Sequence, residues 1–306
     1  MSQALRDTLA MVSSRSEKGA TASRLADHAA TWKLRITAMV AVTTAIGYVL
    51  GAESGRWDWL VLLATVAGAS LSCMGAAVFN QIVERDTDAK MPRTADRPLA
   101  AGRLTMAEAL VSGTLLSVLG VGVLAIGASP LAAGLSAGTI ASYVFLYTPM
   151  KRLTAAALFV GAVPGAMPPM IGYAAAEGEL GMGAWLLFAI MFAWQIPHFL
   201  AIAWLYKEDY ARAKMPMIPV KHPEGPVTFW WMVLSAAVVL VIGVLPPMLG
   251  VGGWMSLAAG VVLGGLFLGA AMRSFLLRTD SSARVVFFAS LVYLPVLLTV
   301  LVIDAA

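Results

Sequence analysis

The segment from Asn80 to Pro98 brings acids, bases and an amide together at the end of an otherwise apolar stretch. On a helix, Asn80, Glu84 and Asp88 step by four residues and fall within an arc of roughly 80°. Amide and carboxylate oxygens suit a hard cation such as Mg²⁺, which is commonly held by one or two carboxylates plus substrate phosphates. We therefore predict that these three residues bind Mg²⁺ and take part in catalysis.

Basic residues downstream of this motif are candidates for binding phosphate. Arginine offers a fork of donors to phosphate oxygens, and lysine offers a point charge. The alternative is an ordinary cytoplasmic loop, in which the bases serve topology and the acids balance them. The candidates are Lys90, Arg93, Arg97, Lys151 and Arg152, with Tyr147 beside the last pair.

A second group of polar residues lies in Trp194-Gln-Ile-Pro-His-Phe199 and Tyr206-Lys-Glu-Asp-Tyr210. On one continuous helix its polar members would project within roughly 80° of a single face, although Pro197 disturbs that register. A lone histidine in such a helix is also a common hydrogen-bonded packing residue. The predicted substrate contacts are Gln195, His198, Tyr206 and Lys207, and the predicted catalytic residue is Asp209.

The composition indicates the class of protein that must position these residues. The chain has 306 residues, of which 59% are hydrophobic and 12% charged, and its mean hydropathy is +0.81. Open sheet edges cannot face lipid, so apolar runs of about 20 residues must cross a bilayer as helices. We therefore predict an all-α integral membrane protein with nine transmembrane helices in a single bundle. The runs lie at about 34–52, 59–82, 105–126, 129–148, 154–175, 184–205, 227–249, 253–275 and 284–304.

The bases also predict orientation, because Lys and Arg accumulate in cytoplasmic segments. Of the 21 Lys and Arg residues, all but Arg56 fall in or beside the N-terminal tail and the loops that follow even-numbered spans. We predict a cytoplasmic N-terminus, an outer C-terminus and a site that faces the cytoplasm at a bacterial inner membrane. Residues 1–32 are predicted to be a partly disordered cytoplasmic tail, and residues 33–306 the nine-helix domain. The net charge of +4 reflects this topology, and no motif suggests a nucleic-acid partner.

These features predict a site that binds a metal-bridged polyanion at the cytoplasmic mouth of an apolar helical cavity. A prenyl diphosphate has the matching chemistry, since its head suits Mg²⁺ and bases while its tail suits the bundle interior. Departure of diphosphate leaves an allylic cation, and metal and basic groups stabilise the leaving charge. Pro164, Pro168 and Pro169 in the fifth span predict a bent helix that shapes the cavity.

These residues resemble those of a known family. Asn80 to Asp88 is similar to the first acid-rich motif of the intramembrane prenyltransferases of the UbiA superfamily. Glu84 to Leu99 most resembles the branch of that superfamily that farnesylates protohaem IX. The resemblance spans roughly residues 33–300, and the second signature of that branch resembles Trp194 to Leu200, Tyr206 to Tyr210 and Met215 to Pro219.

The resemblance implies transfer of a farnesyl group from farnesyl diphosphate to the vinyl group of haem b, giving haem O and diphosphate, with Mg²⁺ as the cofactor. Haem O serves terminal oxidases, so haem A synthase and oxidase assembly factors are candidate partners, beside membrane lipid. By the same resemblance Asn80, Glu84 and Asp88 hold the metal and diphosphate. The residues implied to stabilise the leaving group are Lys90, Arg93, Arg97, Lys151, Arg152, Lys207 and Asp209.

The sequence departs from relatives that prenylate aromatic acids or quinone precursors, because Gln195, His198 and Asp209 occupy the region of a second Asp-rich motif. This departure favours haem as the acceptor and makes His198 a candidate ligand or hydrogen-bond partner of haem. The alternatives are a prenyltransferase acting on a quinone precursor or chlorophyllide, a transporter of an anionic amphipath, and a purely structural haem or assembly factor. Charges gathered at one mouth, without an inverted repeat of the acid motif, favour a transferase over a transporter.

Overall fold

The computed structural model describes residues 23–52 and 57–305. Within these residues nine helices are long and apolar enough to cross a membrane, and no strand is present. The prediction of an all-α protein with nine spans is confirmed, whereas the orientation of the termini stays a prediction. Arg56 and residues 1–22, which include most of the predicted tail, lie outside the described residues. The spans are α1 (Leu34–Gly51), α2 (Trp59–Asp88), α3 (Met106–Gly127), α4 (Pro130–Met150), α5 (Ala157–Glu177), α6 (Met182–Leu205), α7 (Pro226–Gly243), α8 (Trp254–Leu277) and α9 (Asp280–Ala305).

Local sequence explains where several of these helices begin. The Asp58 carboxylate accepts two backbone N–H groups in the first turn of α2. Thr105 and Glu108 form a reciprocal capping box at the start of α3. Ser129 caps α4, and Pro130 occupies the first helical position, where a backbone N–H would have no partner within the helix. These caps satisfy backbone donors that the helices themselves leave without partners.

The helices form two groups that meet at α5 and α6. In the first group α1 packs against α2 and α5, α3 packs against α2 and α4, and α4 returns to α5. In the second group α6 contacts α7 and α9, and α8 packs against both of these. The largest apolar cluster fills the second group and includes Leu187, Phe229, Phe267 and Leu297. Because α5 and α6 join both groups, they are the most buried of the nine spans.

One of these helices has a local feature that the sequence did not suggest. α4 contains a π-helical segment, Ser142–Tyr147, which no sequence pattern indicated. α5 continues from Ala157 to Glu177 through its three prolines, and the bend predicted for it stays a prediction. Part of the predicted tail, residues 23–31, forms a short helix that precedes α1. This short helix and the π-helical segment both lie close in sequence to residues of the candidate site.

The backbones of α1 and α5 approach each other at glycines. A Cβ atom on Gly172 would lie 1.9 Å from the carbonyl oxygen of Thr44, and one on Gly47 would lie 2.0 Å from that of Pro169. Only glycine permits this contact, which is a common way for membrane helices to pack closely. The contact fixes α1, and therefore Lys33 just before it, relative to the centre of the bundle.

We predict that Gly172→Ala destabilises the protein by about 1–3 kcal/mol, because the added methyl group forces two backbones apart. The measurement is denaturant-induced unfolding of the purified protein in detergent. Gly138→Ala in α4 is the matched control, since its Cβ would meet no atom within 4 Å and the gain in helix propensity is the same. Equal midpoints for the two variants would contradict the close approach.

Candidate active site

The last two turns of α2 carry the acid-rich motif into the bundle. α2 continues to Asp88, beyond the end of its apolar run. Asn80, Glu84 and Asp88 are 1%, 5% and 1% exposed, so all three face the interior. The predicted four-residue spacing on one helical face is therefore what the structure has.

Each of these three residues contacts a base from a different segment of the chain. The bases come from the start of α1, the loop after α2 and the end of α4, and we call the six residues the ionic cluster. Taking one partner away from such a buried pair leaves an uncompensated charge, which is strongly destabilising. The contacts are Lys33 Nζ to Asn80 Oδ1 at 3.0 Å, Lys151 Nζ to Glu84 Oε1 at 2.8 Å and Arg97 Nη1 to Asp88 Oδ2 at 2.7 Å.

The ionic cluster contains three bases and two carboxylates, so its own residues sum to one positive charge. Burial by itself would lower the pKa of Lys151, but Tyr147 and Glu84 outweigh it and raise that pKa above its usual range. Burial, together with the nearby charges of Arg97 and Lys151, lowers the pKa of Lys33 to about 8. A further anion placed here would relieve the repulsion among the bases.

Neighbouring side chains hold the cluster in place. The Asn80 amide donates to Thr148 Oγ1 at 3.3 Å, and Thr148 donates to the carbonyl oxygen of Tyr143 in the π-helical segment at 2.7 Å. The Lys151 ammonium lies 4.5 Å from the ring centre of Tyr147, within range for a cation–π contact. Arg152 donates to the Val83 carbonyl oxygen at 2.6 Å and to Thr87 Oγ1 at 2.7 Å, which braces the end of α2. The leaving-group role predicted for Arg152 stays a prediction.

The sequence interpretation missed Lys33 and Thr148. Lys33 was assigned only to the positive-inside pattern, yet its left-handed backbone, with φ of 49°, turns the chain between the short helix and α1. The sequence did hold one signal for it, because a lysine directly at the start of an apolar span lies at the depth of the site. Thr148 gave no such signal.

The two predicted polar regions meet at their loops. The Arg93 guanidinium lies 4.7 Å from the ring centre of Tyr206 and 6.0 Å from that of Tyr210. Met91 and Met215 pack in one small apolar cluster between the same loops. The loop after α2 and the loop after α6 therefore cover the same end of the bundle. Lys90 is exposed beside them, and its substrate role stays a prediction.

The predicted end of the sixth span near residue 205 is confirmed, so the two halves of the second polar region do not lie on one continuous helix. α6 continues through Pro197 but ends at Leu205, and the backbone of Tyr206 leaves the helix at φ −114° and ψ 24°. Asp209 lies on a separate short helix, Lys207–Arg212, where its carboxylate is 3.5 Å from Arg212 Nη1. The Lys207 ammonium lies 3.7 Å from the ring centre of Trp204. The roles predicted for Tyr206, Lys207 and Asp209 stay predictions.

Gln195 and His198 contact different helices. Gln195 donates to the carbonyl oxygen of Ala162 in α5 at 3.3 Å. His198 Nδ1 lies 2.7 Å from Ser290 Oγ in α9, and the His198 ring stacks between Trp194 and Phe287. His198 therefore lies at the interface of α6 and α9. Substrate contact by either residue stays a prediction.

The ionic cluster fits Mg²⁺ by its ligand chemistry. In the described ranges 23–52 and 57–305, no group of three or more His, Cys, Asp or Glu side chains could hold a metal ion. Metal ions on this face of α2 would use Glu84 together with Asn80 or with Asp88, since Asn80 and Asp88 stand about 12 Å apart along the helix axis, and substrate oxygens would complete the shell, as suits Mg²⁺. Asp88 Oδ1 is buried and has no hydrogen-bond partner within the described residues, so it is available as a ligand.

A helical membrane bundle with a buried ionic cluster at one end fits an intramembrane enzyme that acts on an anionic amphipath. The sequence model of the UbiA prenyltransferase family matches residues 40–292, and the chain belongs to that family. The protoheme IX farnesyltransferase of Solibacter usitatus (strain Ellin6076) is 45% identical over 280 residues, which cover 89% of this chain and 96% of that protein.

Solved structures share the fold at low sequence identity. One, from work on digeranylgeranylglyceryl phosphate synthase in membranes, superposes with a TM-score of 0.78 at 16% identity and covers 92% of this chain and 99% of that one. A UbiA homolog from Archaeoglobus fulgidus, bound to GPP and Mg²⁺, gives a TM-score of 0.61 at 12% identity and covers 89% of this chain and 99% of that one. These likenesses confirm the nine-helix fold.

We predict that Glu84 and Lys151 are energetically coupled. Glu84→Gln and Lys151→Met should each destabilise the protein by about 3–5 kcal/mol, because each leaves a buried charge without its partner. The double variant should lose less than the sum, with a coupling energy of about 1–3 kcal/mol in denaturant unfolding.

The exposed pair Arg85 and Asp86, with nitrogen and oxygen 3.7 Å apart, is the matched control for this cycle. Its coupling energy should be about 0.5 kcal/mol or less, since water and salt screen exposed pairs. Additive effects at Glu84 and Lys151 would show that their contact contributes nothing to the fold.

Proposed function

We propose that this prenyltransferase moves the farnesyl group of farnesyl diphosphate to a vinyl group of protohaem IX and produces haem O and diphosphate. One observation carries the proposal, namely the buried oxygen-bearing face of α2 opposed by Lys33, Arg97 and Lys151. The choice of acceptor is supported by the protoheme IX farnesyltransferase relative that matches nearly the whole chain. Family membership favours this enzyme over the transporter and the structural factor.

The ionic cluster supports departure of the diphosphate. The bond between the first farnesyl carbon and its oxygen breaks, and the electron pair leaves with diphosphate. Lys33, Arg97 and Lys151 stabilise the charge that develops on those oxygens, and preformed cations do so without the reorganisation that water would need. Because the three bases are already fixed by Asn80, Asp88 and Glu84, their positions are set before substrate binds.

Mg²⁺ is part of this proposal. The Archaeoglobus fulgidus homolog binds Mg²⁺ together with GPP, and this chain has a ligand set of the right chemistry in Asn80, Glu84 and Asp88. Bound Mg²⁺ would supply Lewis-acid stabilisation of the diphosphate oxygens. The single positive charge of the cluster suits a magnesium diphosphate head group, which retains net negative charge.

The acceptor completes the reaction. The π electrons of the vinyl group attack the allylic cation and form a carbon–carbon bond, which moves the positive charge to the carbon beside the macrocycle. Water adds at that carbon and releases a proton. The apolar helices must exclude water until the first step is over, because early addition would hydrolyse the donor.

The proposed setting is a bacterial inner membrane with the N-terminus and the ionic cluster on the cytoplasmic side. Contacts that join Lys33, Arg97 and Lys151 to α2 place these bases at one end of the bundle. The Trp204 indole donates to Asp280 at 2.9 Å, which brings the base-rich start of α9 to that end. The positive-inside rule makes it the cytoplasmic end. Haem A synthase and oxidase assembly factors stay predicted partners.

We predict that the purified protein in detergent, given haem b, farnesyl diphosphate and Mg²⁺, produces a farnesylated macrocycle detectable by mass spectrometry. Chelation of Mg²⁺ should stop the reaction, and added Mg²⁺ should restore it, because the diphosphate then regains its counter-ion. Quinone precursors and a chlorophyllide are the comparison acceptors. A prenylated product from one of those acceptors, with none from haem b, would refute the assignment of haem as the acceptor.

We predict that Asp88→Asn lowers kcat/KM for farnesyl diphosphate by on the order of 10²–10³-fold and raises the Mg²⁺ concentration needed for half-maximal rate, because it weakens a charged ligand. Asp86→Asn is the matched control, since that side chain is 85% exposed two residues away on the same helix. Because Asp88→Asn also leaves Arg97 without its carboxylate, the unfolding midpoints of both variants are measured as well, and the rates are compared at a temperature at which both proteins are folded. Equal activities would contradict the metal assignment.

A further inference from the structure

A groove of about 600 Å³ opens between the short helix 23–31, the start of α1 and α2. Its outer wall is formed by Ala26, Ala29 and Ala30 of the short helix, which lie on one helical face at three- and four-residue spacing. Each alanine presents only a methyl group, so the wall has low relief. Such a surface accommodates a flat, rigid ligand better than a branched one.

The groove is electropositive. Lys33, Arg35 and Arg97 line it, and no carboxylate is among the described residues that do so. Lys33 and Arg97 also belong to the ionic cluster, through Asn80 and Asp88. The groove and the cluster therefore share a wall, and a ligand in the groove lies next to the diphosphate-binding residues. Arg35 is exposed in the first turn of α1 and is not part of the cluster.

The short helix that forms the wall is held by ionic contacts. Arg103 Nε lies 2.9 Å from Asp27 Oδ1, and Arg24 pairs with Glu108 at the start of α3. On the opposite side Gln81 is 1% exposed, and its amide nitrogen donates to the carbonyl oxygen of Thr31 at 2.8 Å. Both walls are therefore anchored to the bundle by polar contacts.

We propose that this groove binds the carboxylate edge of the macrocyclic acceptor, and that Arg35 pairs with one of the two propionate carboxylates. This inference rests on the proposed function, in which the acceptor is a flat macrocycle with two carboxylates away from the reacting vinyl group. A carboxylate requires only basic partners, whereas a diphosphate also requires oxygen ligands for its metal ion. The described residues that line the groove supply three bases and no carboxylate for a metal ion, so its charge complements a dicarboxylate better than the donor.

Titration of the full-length protein in detergent with protohaem IX, followed by visible absorption, tests the inference. The dimethyl ester of protohaem is the second probe, because it has the same macrocycle without the charges. The wild-type protein should bind the diacid at least tenfold more tightly than the ester. Arg35→Glu should weaken diacid binding by about tenfold or more and leave ester binding unchanged, since only the diacid loses an ion pair.

A second variant tests the shape of the groove. Ala29→Phe places a ring against the flat wall and should weaken binding of both probes. The matched controls are Arg284→Glu, an exposed arginine near the start of α9, and Ala137→Phe, an exposed alanine on α4. Both controls should bind the two probes as the wild-type protein does.

Farnesyl transfer is measured in the same preparations, so that the two proposals fail separately. If the wild-type protein produces farnesylated haem while Arg35→Glu and Ala29→Phe bind the diacid normally, the groove inference is overturned and the function stands. Equal loss of diacid and ester in Arg35→Glu also overturns it. A raised KM for farnesyl diphosphate at unchanged haem affinity would assign the groove to the donor instead. Absence of product from the wild-type protein refutes the proposed function.

Discussion

An ionised side chain withdrawn from water must find a partner of opposite charge, and at the end of this bundle that requirement shapes the surrounding structure. Glu84 and Asp88 are almost fully buried, and each is matched by a base at hydrogen-bonding distance. Because Lys151 comes from the end of α4 and Lys33, which donates to Asn80, from the start of α1, these contacts are possible only when α1, α2 and α4 are aligned along their length. The close approach of α1 and α5 at Gly47 and Gly172 supports that alignment far from any charge.

The loops at this end of the bundle cover the candidate site, which is a second requirement of the proposed reaction. An allylic cation reacts with water readily, so its site must be covered as well as charged. The Met91 and Met215 cluster and the contact of Arg93 with Tyr206 bring the loops after α2 and α6 together over one end of the bundle. These contacts link the two helix groups. They also explain why polar residues far apart in sequence are found at one membrane face.

Hydropathy predicted the nine spans because a bilayer imposes one length and one composition on each of them. The face shared by Asn80, Glu84 and Asp88 could be predicted equally well from the sequence, since a helix repeats every 3.6 residues whatever surrounds it. Contacts between residues of different segments could not be predicted from the sequence in this way. Whether Lys33 reaches Asn80, or whether His198 faces α9, depends on how helices are packed. The short helix Lys207–Arg212 was not predicted, because a segment of six residues is too short to show a periodic apolar pattern.

The π-helical segment Ser142–Tyr147 lies between the part of α4 that packs against α5 and the end that carries Lys151. Its wider turn takes up more residues than an α-helical turn does. The side chains that follow therefore point in other directions than they would on a regular α-helix. The first part of the helix can therefore keep its small residues against α5 while Lys151, at the far end, points to Glu84 on α2. If the same residues were wound as a regular α-helix instead, the extra residue that the wider turn absorbs would swing Lys151 by roughly 100° about the helix axis. The reach of a single ammonium group is thus set by the winding of the backbone beneath it.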